Sequence, residues 1–169
     1  MDRLTNEEKA EFCLPMLIRA GLVDSPPTPQ QRERLARVVQ AAGDRIKIAG
    51  DILDYDYCFV ESDAIEYDQA ALDKRLIRPD EAPDLLREFA LRLADLEPFD
   101  AHATEQALKR FVEEKGVKLN QVIHALRIAV TGRATGFGMF ETLEILGKAT
   151  CLARINKTLE RVAAQRAQS

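Results

Sequence analysis

The chain has 169 residues, of which 46% are apolar and 31% charged, a balance typical of a soluble globular protein with a core. This length suits one domain or two small ones, and charges interrupt every apolar run before it could span a membrane. The charged N-terminal segment also lacks the apolar core of a signal peptide. Three widely spaced cysteines form no Cys-x-x-Cys pair. We therefore expect a cytoplasmic protein with reduced, buried thiols, without a disulfide framework or a metal site.

The charge is unevenly distributed along the chain. The net charge is −4, but residues 1–100 carry −9 and residues 101–169 carry +5. A basic C-terminal segment on an acidic body is a reasonable electrostatic footprint for RNA contact. Short segments also fluctuate in charge by this much, so charge alone gives RNA contact and chance variation about equal weight.

The N-terminal part of the sequence predicts two helices. Thr5 and Glu8 form a capping-box pattern that opens a helix with Phe12 on its inner side, and Pro15 should kink or restart that helix. After a proline-rich connector, Thr28 caps a second helix that begins at a proline. The predicted buried stripe of the second helix consists of Leu35, Val38, Val39 and Ala42.

The middle of the chain predicts shorter elements and a domain boundary. A helix is expected through Ile46, Ala49 and Leu53, followed by a solvated acidic elbow at 51–68 and a short helix from Asp68 to Leu76. A long helix then begins between two prolines and carries apolar residues up to Leu96. The segment 97–100 is the expected main boundary, which divides the chain into residues 1–98 and 99–169.

The C-terminal part predicts four more helices. Asp100 caps one that ends at Gly116, and the others are expected at 119–131, 138–146 and 148–163, with a frayed tail behind them. No two-residue alternation persists anywhere in the chain. The predicted fold class is therefore all-α, with two consecutive helical subdomains.

Motifs for catalysis fail on inspection. Gly147-Lys148 is followed by Ala149, so a phosphate loop is excluded, and the glycines after Thr131 follow a helix, unlike those of a dinucleotide site. Neither His102 nor His124 has a catalytic partner in a recognised arrangement. A partly exposed helix position is the main interpretation of His124, with RNA contact as the lesser alternative.

The segment Leu126–Lys148 has more chemical content. A helix ends at Gly132, with Arg127 about one turn earlier, and glycines at 136 and 138 permit close approach of a ligand to the main chain. The free amides of the helix that starts near Gly138 suit an anion, and Arg133 and Lys148 add positive charge. Such a surface suits single-stranded RNA. The alternative is an ordinary helix-loop-helix with glycine caps and a solvated or paired arginine.

These residues resemble a known family. The pattern Leu-Arg-x-Ala-x-Thr-Gly, a short glycine loop, Phe140-Glu141 and Leu146-Gly147-Lys148 are similar to the C-terminal anticodon-binding domain of bacterial glutamyl-tRNA synthetases. The segments 14–23 and 44–52 and the run to Leu76 also resemble that family. The resemblance covers nearly the whole chain, and 126–148 is its most specific part.

The resemblance implies a function and a set of site residues. Residues 1–98 would be a helical subdomain that contacts the tRNA stem, and residues 99–169 would bind the anticodon of tRNA-Glu, with tRNA-Gln left open. Arg127 and Met139 would meet anticodon bases, and Arg45, with Lys47 as the weaker match, would contribute from the first subdomain. The expected RNA-contact positions also include Gly138 and the phosphate contacts Lys118, Arg133, Lys148 and Arg154.

The resemblance does not extend to catalysis. The two class I signatures, HIGH-like and KMSKS-like, occur nowhere in the chain, so ATP and Mg²⁺ would belong to a catalytic part that acts in cis or in trans. We expect a monomer with no cofactor of its own that binds neither DNA nor a membrane and does not aminoacylate by itself. The alternatives are a helical protein-interaction module that docks onto a catalytic subunit through its acidic N-terminal face, and a detached paralogue that binds another RNA.

Overall fold

The computed structural model describes residues 3–168, in which all regular structure is helical, as predicted. The residues form two compact units, one ending at Glu61 and one beginning at Ser62. In the part of the chain described, no helix is both long and apolar enough to cross a membrane. The α-helices are α1 (Asn6–Arg19), α2 (Pro29–Ala42), α3 (Gln69–Leu72), α4 (Ala82–Ala94), α5 (Ala101–Lys115), α6 (Leu119–Thr131), α7 (Met139–Leu146) and α8 (Lys148–Ala167).

The first unit is built on α1 and α2. Both predicted capping boxes are present, with the Glu8 amide donating to the Thr5 hydroxyl at 3.2 Å and the Gln31 amide to the Thr28 hydroxyl at 3.1 Å. The predicted apolar stripe of α2 is buried along its whole length. Local caps and helical periodicity were therefore sufficient to predict α2.

Three expectations for the first unit are wrong. Helix α1 does not restart at Pro15 but continues through this exposed residue, so the carbonyl that loses its partner can be hydrated. Phe12 is 58% exposed, and Cys13 and Leu17 take the inner face instead. In place of a regular helix after α2, 3₁₀ turns form at Gly43–Arg45 and Ala49–Cys58.

The second unit has one apolar core, shared by α4, α5, α6, α7 and α8. Phe89 of α4 and Phe111 of α5 pack with their ring centroids 5.3 Å apart, so the core continues across the boundary expected at 97–100. The apolar stripe of α4 is covered by the helices that follow it, which explains why the compact units divide between Glu61 and Ser62.

A π-helical turn, Asp73–Ile77, directly follows α3 and is tied to the C-terminal end of α8. The guanidinium of Arg166 donates to the carbonyls of Leu76, Ile77 and Pro79 at 3.2, 3.1 and 2.7 Å. A frayed tail was expected here, and the structure instead shows α8 intact to Ala167. The bonds from Arg166 to the carbonyls at the end of the π-helical turn explain why α8 is helical to its end.

Candidate nucleic-acid interface

The glycine that ends α6 is held in close contact with an earlier segment of the second unit. Gly132 has φ +78°, and a Cβ there would overlap the backbone oxygen of Glu66 and lie 2.7 Å from Cγ2 of Ile65. The Asp68 amide donates to the Gly132 carbonyl at 2.7 Å. Because the backbone is left-handed and crowded, only glycine fits this position without strain.

The last carbonyls of α6 are held by α8. Nη1 of Arg154 donates to the Val130 carbonyl at 2.8 Å, and the Thr158 hydroxyl to the Ala129 carbonyl at 3.1 Å. These bonds satisfy carbonyls that a helix end otherwise leaves without partners. The loop between α6 and α7 therefore starts from a fixed frame.

The hydroxyl of Thr131 shapes the first residues of the loop. It donates to the Arg127 carbonyl at 2.7 Å and accepts from the Arg133 amide at 3.0 Å. One side chain thus bonds the last turn of α6 to the first loop residue, a local competition with helix bonding that is common for threonine. Arg127 and Arg133, both half-buried, consequently have fixed backbones next to the glycine.

The loop 133–138 is only partly accessible. Ala134, Thr135 and Gly138 are exposed, whereas Phe137 is fully buried and Met139 is 4% exposed. The prediction that Met139 presents an apolar surface to a base does not agree with this geometry. Its side chain belongs to the apolar core, because it begins α7 on the inner face of that helix.

The start of α7 is likewise different from the expected anion site. A Cβ on Gly138 would overlap the carboxylate of Glu141, so this carboxylate lies directly against the glycine. An acidic side chain in the first turn stabilises the positive end of a helix. The place predicted for an RNA phosphate is therefore occupied by a negative charge from the chain itself.

Two of the predicted phosphate contacts have structural partners. Lys148 donates to the carboxylate of Glu97 at 2.8 Å and to the Ala94 carbonyl at 3.3 Å. Arg154 is 1% exposed, so its predicted role as a surface phosphate contact is wrong for this conformation. Its buried guanidinium instead supports the end of α6, as described above.

The remaining predicted residues are accessible but scattered. Lys118 is exposed at the N-cap of α6, about 20 Å from Gly132 along the 13-residue helix. Arg45 and Lys47 are exposed in the first unit. The Asp51 carboxylate accepts the Lys47 amide at 2.8 Å and the Ile48 amide at 3.0 Å, and these bonds lower its pKa. The backbone beside Lys47 is therefore fixed.

Two basic residues that the sequence analysis did not identify, Lys74 and Arg75, lie beside α6. The pKa of His124 is lowered by burial and by the charges of Arg75, Arg127 and Lys74. Lys74 and Arg75 belong to the π-helical turn, which packs against α6. The distance in sequence between the turn and α6 explains why their proximity was not predicted.

Comparison with known proteins identifies the family of the chain. A family model described as "Anticodon binding domain" matches residues 8–159. The chain belongs to the anticodon-binding domain family. The match covers both compact units, so membership does not depend on the segment 126–148 alone.

Sequence relatives of this anticodon-binding domain include glutamate–tRNA ligases. The ligase of Moorella thermoacetica is 34% identical over 157 residues, 93% of this chain and 31% of that protein. The ligase of Roseiflexus castenholzii is 34% identical over 166 residues, 98% of this chain and 32% of that protein. The chain thus spans about a third of the length of these relatives.

Solved structures show the same fold. A glutamate tRNA ligase from Elizabethkingia meningosepticum, crystallised in complex with its amino acid, superposes with a TM-score of 0.80 at 22% identity. The superposition covers 94% of this chain and 30% of that one. At this identity the likeness concerns the fold alone, which is the helical fold of the anticodon-binding domain.

Proposed function

We propose that the chain recognises the anticodon stem-loop of tRNA-Glu as the non-catalytic part of a glutamate–tRNA ligase. The observation that carries the proposal is the match of residues 8–159 to the anticodon-binding domain family. The relatives named above, all glutamate–tRNA ligases, supply the amino acid specificity of the proposal. Acceptance of tRNA-Gln is a second outcome that the same binding experiment measures.

Base reading is assigned to Arg127 and to the accessible part of the loop. Arg127 lies five residues before Gly132, and its backbone carbonyl accepts a bond from the Thr131 hydroxyl. A well-placed arginine contributes about 1–3 kcal/mol of discrimination between bases. Arg127→Ala should therefore weaken binding of tRNA-Glu more than binding of the same RNA with a changed anticodon.

The matched comparison for Arg127 is Lys148, whose predicted contact is with phosphate alone. Lys148→Ala should weaken binding of both RNAs equally, because a phosphate carries no base identity. Binding is measured by fluorescence anisotropy with the full 169-residue chain at several salt concentrations. Equal losses with both RNAs for Arg127→Ala would remove the base-reading role.

Catalysis is assigned to another part of the ligase, which would hold ATP and Mg²⁺. The chain alone should not form glutamyl-tRNA, and addition of a catalytic part that lacks its own anticodon-binding domain should restore charging of tRNA-Glu. Glutamyl-tRNA formed by the chain alone would contradict the assignment. A Met139→Ala variant should lower the stability of the fold, since that side chain is in the core. Any weaker RNA binding by this variant should follow from that loss of stability.

One feature favours a second function, contact with a protein partner. Phe12 is 58% exposed in a groove of about 490 Å³ between α1 and α2, which is also lined by Glu7, Glu8, Glu11 and Arg32, the last two paired at 2.9 Å. Its chemistry suits a basic, partly apolar surface such as one on the catalytic part of the ligase. Phe12→Ser should weaken that association and leave RNA binding unchanged, whereas no association with the wild-type chain removes this second function.

A further inference from the structure

A groove in the second unit carries positive charge that the functional assignment above does not use. It has a volume of about 140 Å³ and lies between the π-helical turn, which contributes Lys74 and Arg75, and α6, which contributes Asn120 and Gln121. Lys74 is exposed and Arg75 half-buried. The groove is accessible, and Pro79, Ala82 and the acidic side chain of Glu81 line it together with these polar and basic groups.

The polar face of α6 connects this groove with the glycine loop. Asn120, His124 and Arg127 are four and three residues apart, a spacing that places them on one face of a helix. Arg127 lies five residues before Gly132. A strand of RNA that reached the loop would have a continuous polar path along α6 to the groove.

Two acidic residues at or near the groove have polar partners, and one of them, Glu81, lines it. Asp73 pairs with Arg78 at 2.6 Å, and Glu81 accepts a bond from the amide of Gln121 at 3.3 Å. Burial lowers the pKa of His124, and the charges of Arg75, Arg127 and Lys74 lower it further. A nearby like charge disfavours the charged form of a group, so an anion bound among these cations would favour their charged forms.

The turn is also held rigidly, as a binding site requires. The three hydrogen bonds from Arg166 fix the carbonyls of Leu76, Ile77 and Pro79. The backbone that carries Lys74 and Arg75 is therefore in position before a ligand arrives, which lowers the entropic cost of binding.

We propose that the groove between the π-helical turn and α6 binds backbone phosphates of the same RNA, with Lys74, Arg75 and His124 as contacts. This inference rests on the proposed function, since it supplies a further site for the RNA whose anticodon is read at the loop. Arginine and lysine are the usual phosphate ligands, and their contacts carry no sequence information. The groove thus contributes affinity, and the loop contributes specificity.

The test compares two double variants with the same change of charge. Lys74→Ala/Arg75→Ala removes the two groove residues, and Lys109→Ala/Arg110→Ala removes two adjacent exposed residues of α5. Binding of a tRNA-Glu transcript and of one with a changed anticodon is measured by anisotropy as a function of salt. Circular dichroism checks that both variants are folded.

The groove variant should lose about tenfold to a hundredfold in affinity, the range for hydrogen bonds to charged groups, and equally for both RNAs. The slope of log K against log salt should fall by about 1.4 for two contacts, at about 0.7 per single-strand phosphate. The control should change affinity by less than about threefold. Equal losses in the two double variants, or an unchanged salt slope in the groove variant, would overturn the inference.

A second measurement uses the histidine. Because phosphate favours the protonated form of His124, wild-type affinity should rise as the pH falls from about 8 to about 6. His124→Gln should flatten that rise, and His102→Gln, an exposed control on α5, should not. A rise that is the same in wild type and in His124→Gln would remove His124 from the site.

The two proposals fail in different ways. If the wild-type chain binds both RNAs equally and the groove variant still loses affinity and salt slope, the groove inference stands and tRNA-Glu recognition does not. If the wild-type chain discriminates between the anticodons and both double variants bind equally, recognition stands and the groove inference fails.

Discussion

The substitution Gly132→Ala tests whether the glycine at the end of α6 is required for its backbone angle or for the contact with the segment before α3. Gly116 at the end of α5 is a matched control. Both glycines are left-handed C-caps, with φ +78° and +67°. A Cβ on Gly116 meets nothing within 4 Å, whereas one on Gly132 overlaps the backbone oxygen of Glu66 and approaches Ile65.

The expected magnitudes follow from these two geometries. A left-handed alanine costs about 1–2 kcal/mol, and the smaller entropy of the unfolded alanine chain returns about 0.4–1 kcal/mol. Gly116→Ala should therefore reduce the free energy of unfolding by about 1 kcal/mol. Gly132→Ala adds crowding against backbone, which costs about 1–3 kcal/mol, so its loss should be about 2–4 kcal/mol.

The assay is urea unfolding followed by far-ultraviolet circular dichroism on the full chain. The difference between the two variants isolates the crowding at Glu66, because the backbone term is common to both. Equal losses for Gly132→Ala and Gly116→Ala would refute the argument from crowding. Anisotropy with tRNA-Glu should show weaker binding for Gly132→Ala alone, since the loop beside Arg127 must shift.

Three further outcomes are expected. Arg154→Ala should reduce the free energy of unfolding by about 3–5 kcal/mol, because a charge-assisted bond and packing are lost. The exposed control Lys157→Ala should change it by less than about 0.5 kcal/mol. Denaturant titration measures both variants, and equal losses would contradict the buried role of Arg154. Lys148→Ala should cost less than about 1 kcal/mol, because its partner Glu97 is exposed, and a larger loss in the same titration would contradict this. In the RNA-free chain, the pKa of His124 is lowered from its ordinary value of 6.5, so the unfolded state binds more protons than the folded state between the two values. Stability should therefore fall as the pH drops through 6.5 towards the folded pKa. Thermal melts of His124→Gln should show a smaller loss of stability in acid than those of the wild type, and an identical loss would contradict this role of His124.

Local signals in the sequence were sufficient for most helix ends. Thr28 and Gln31 are three residues apart and make both bonds of their capping box. Such signals act within one turn and need no knowledge of the rest of the chain. The ends of α5 and α6 at glycines were predicted for the same reason.

Long-range partners explain what the sequence could not predict. Arg154 bonds a carbonyl 24 residues away, and Arg166 bonds one 87 residues away, so a pattern of basic residues on α8 cannot show which of them are buried. Met139 was assigned to a base by resemblance, but the packing of α7 places it in the core. Position in a motif therefore located the loop correctly and did not determine which side chains face outwards.

The frame at the end of α6 is held by residues outside the loop that follows it. The bonds to its carbonyls come from Asp68, Arg154 and Thr158, none of which belongs to the loop 133–138. Substitution of the exposed residues of that loop, with Phe137 retained, leaves all of these bonds in place. Substitutions at the exposed positions Ala134 and Thr135 can therefore be screened for a new RNA preference while the bonds at the end of α6 are kept.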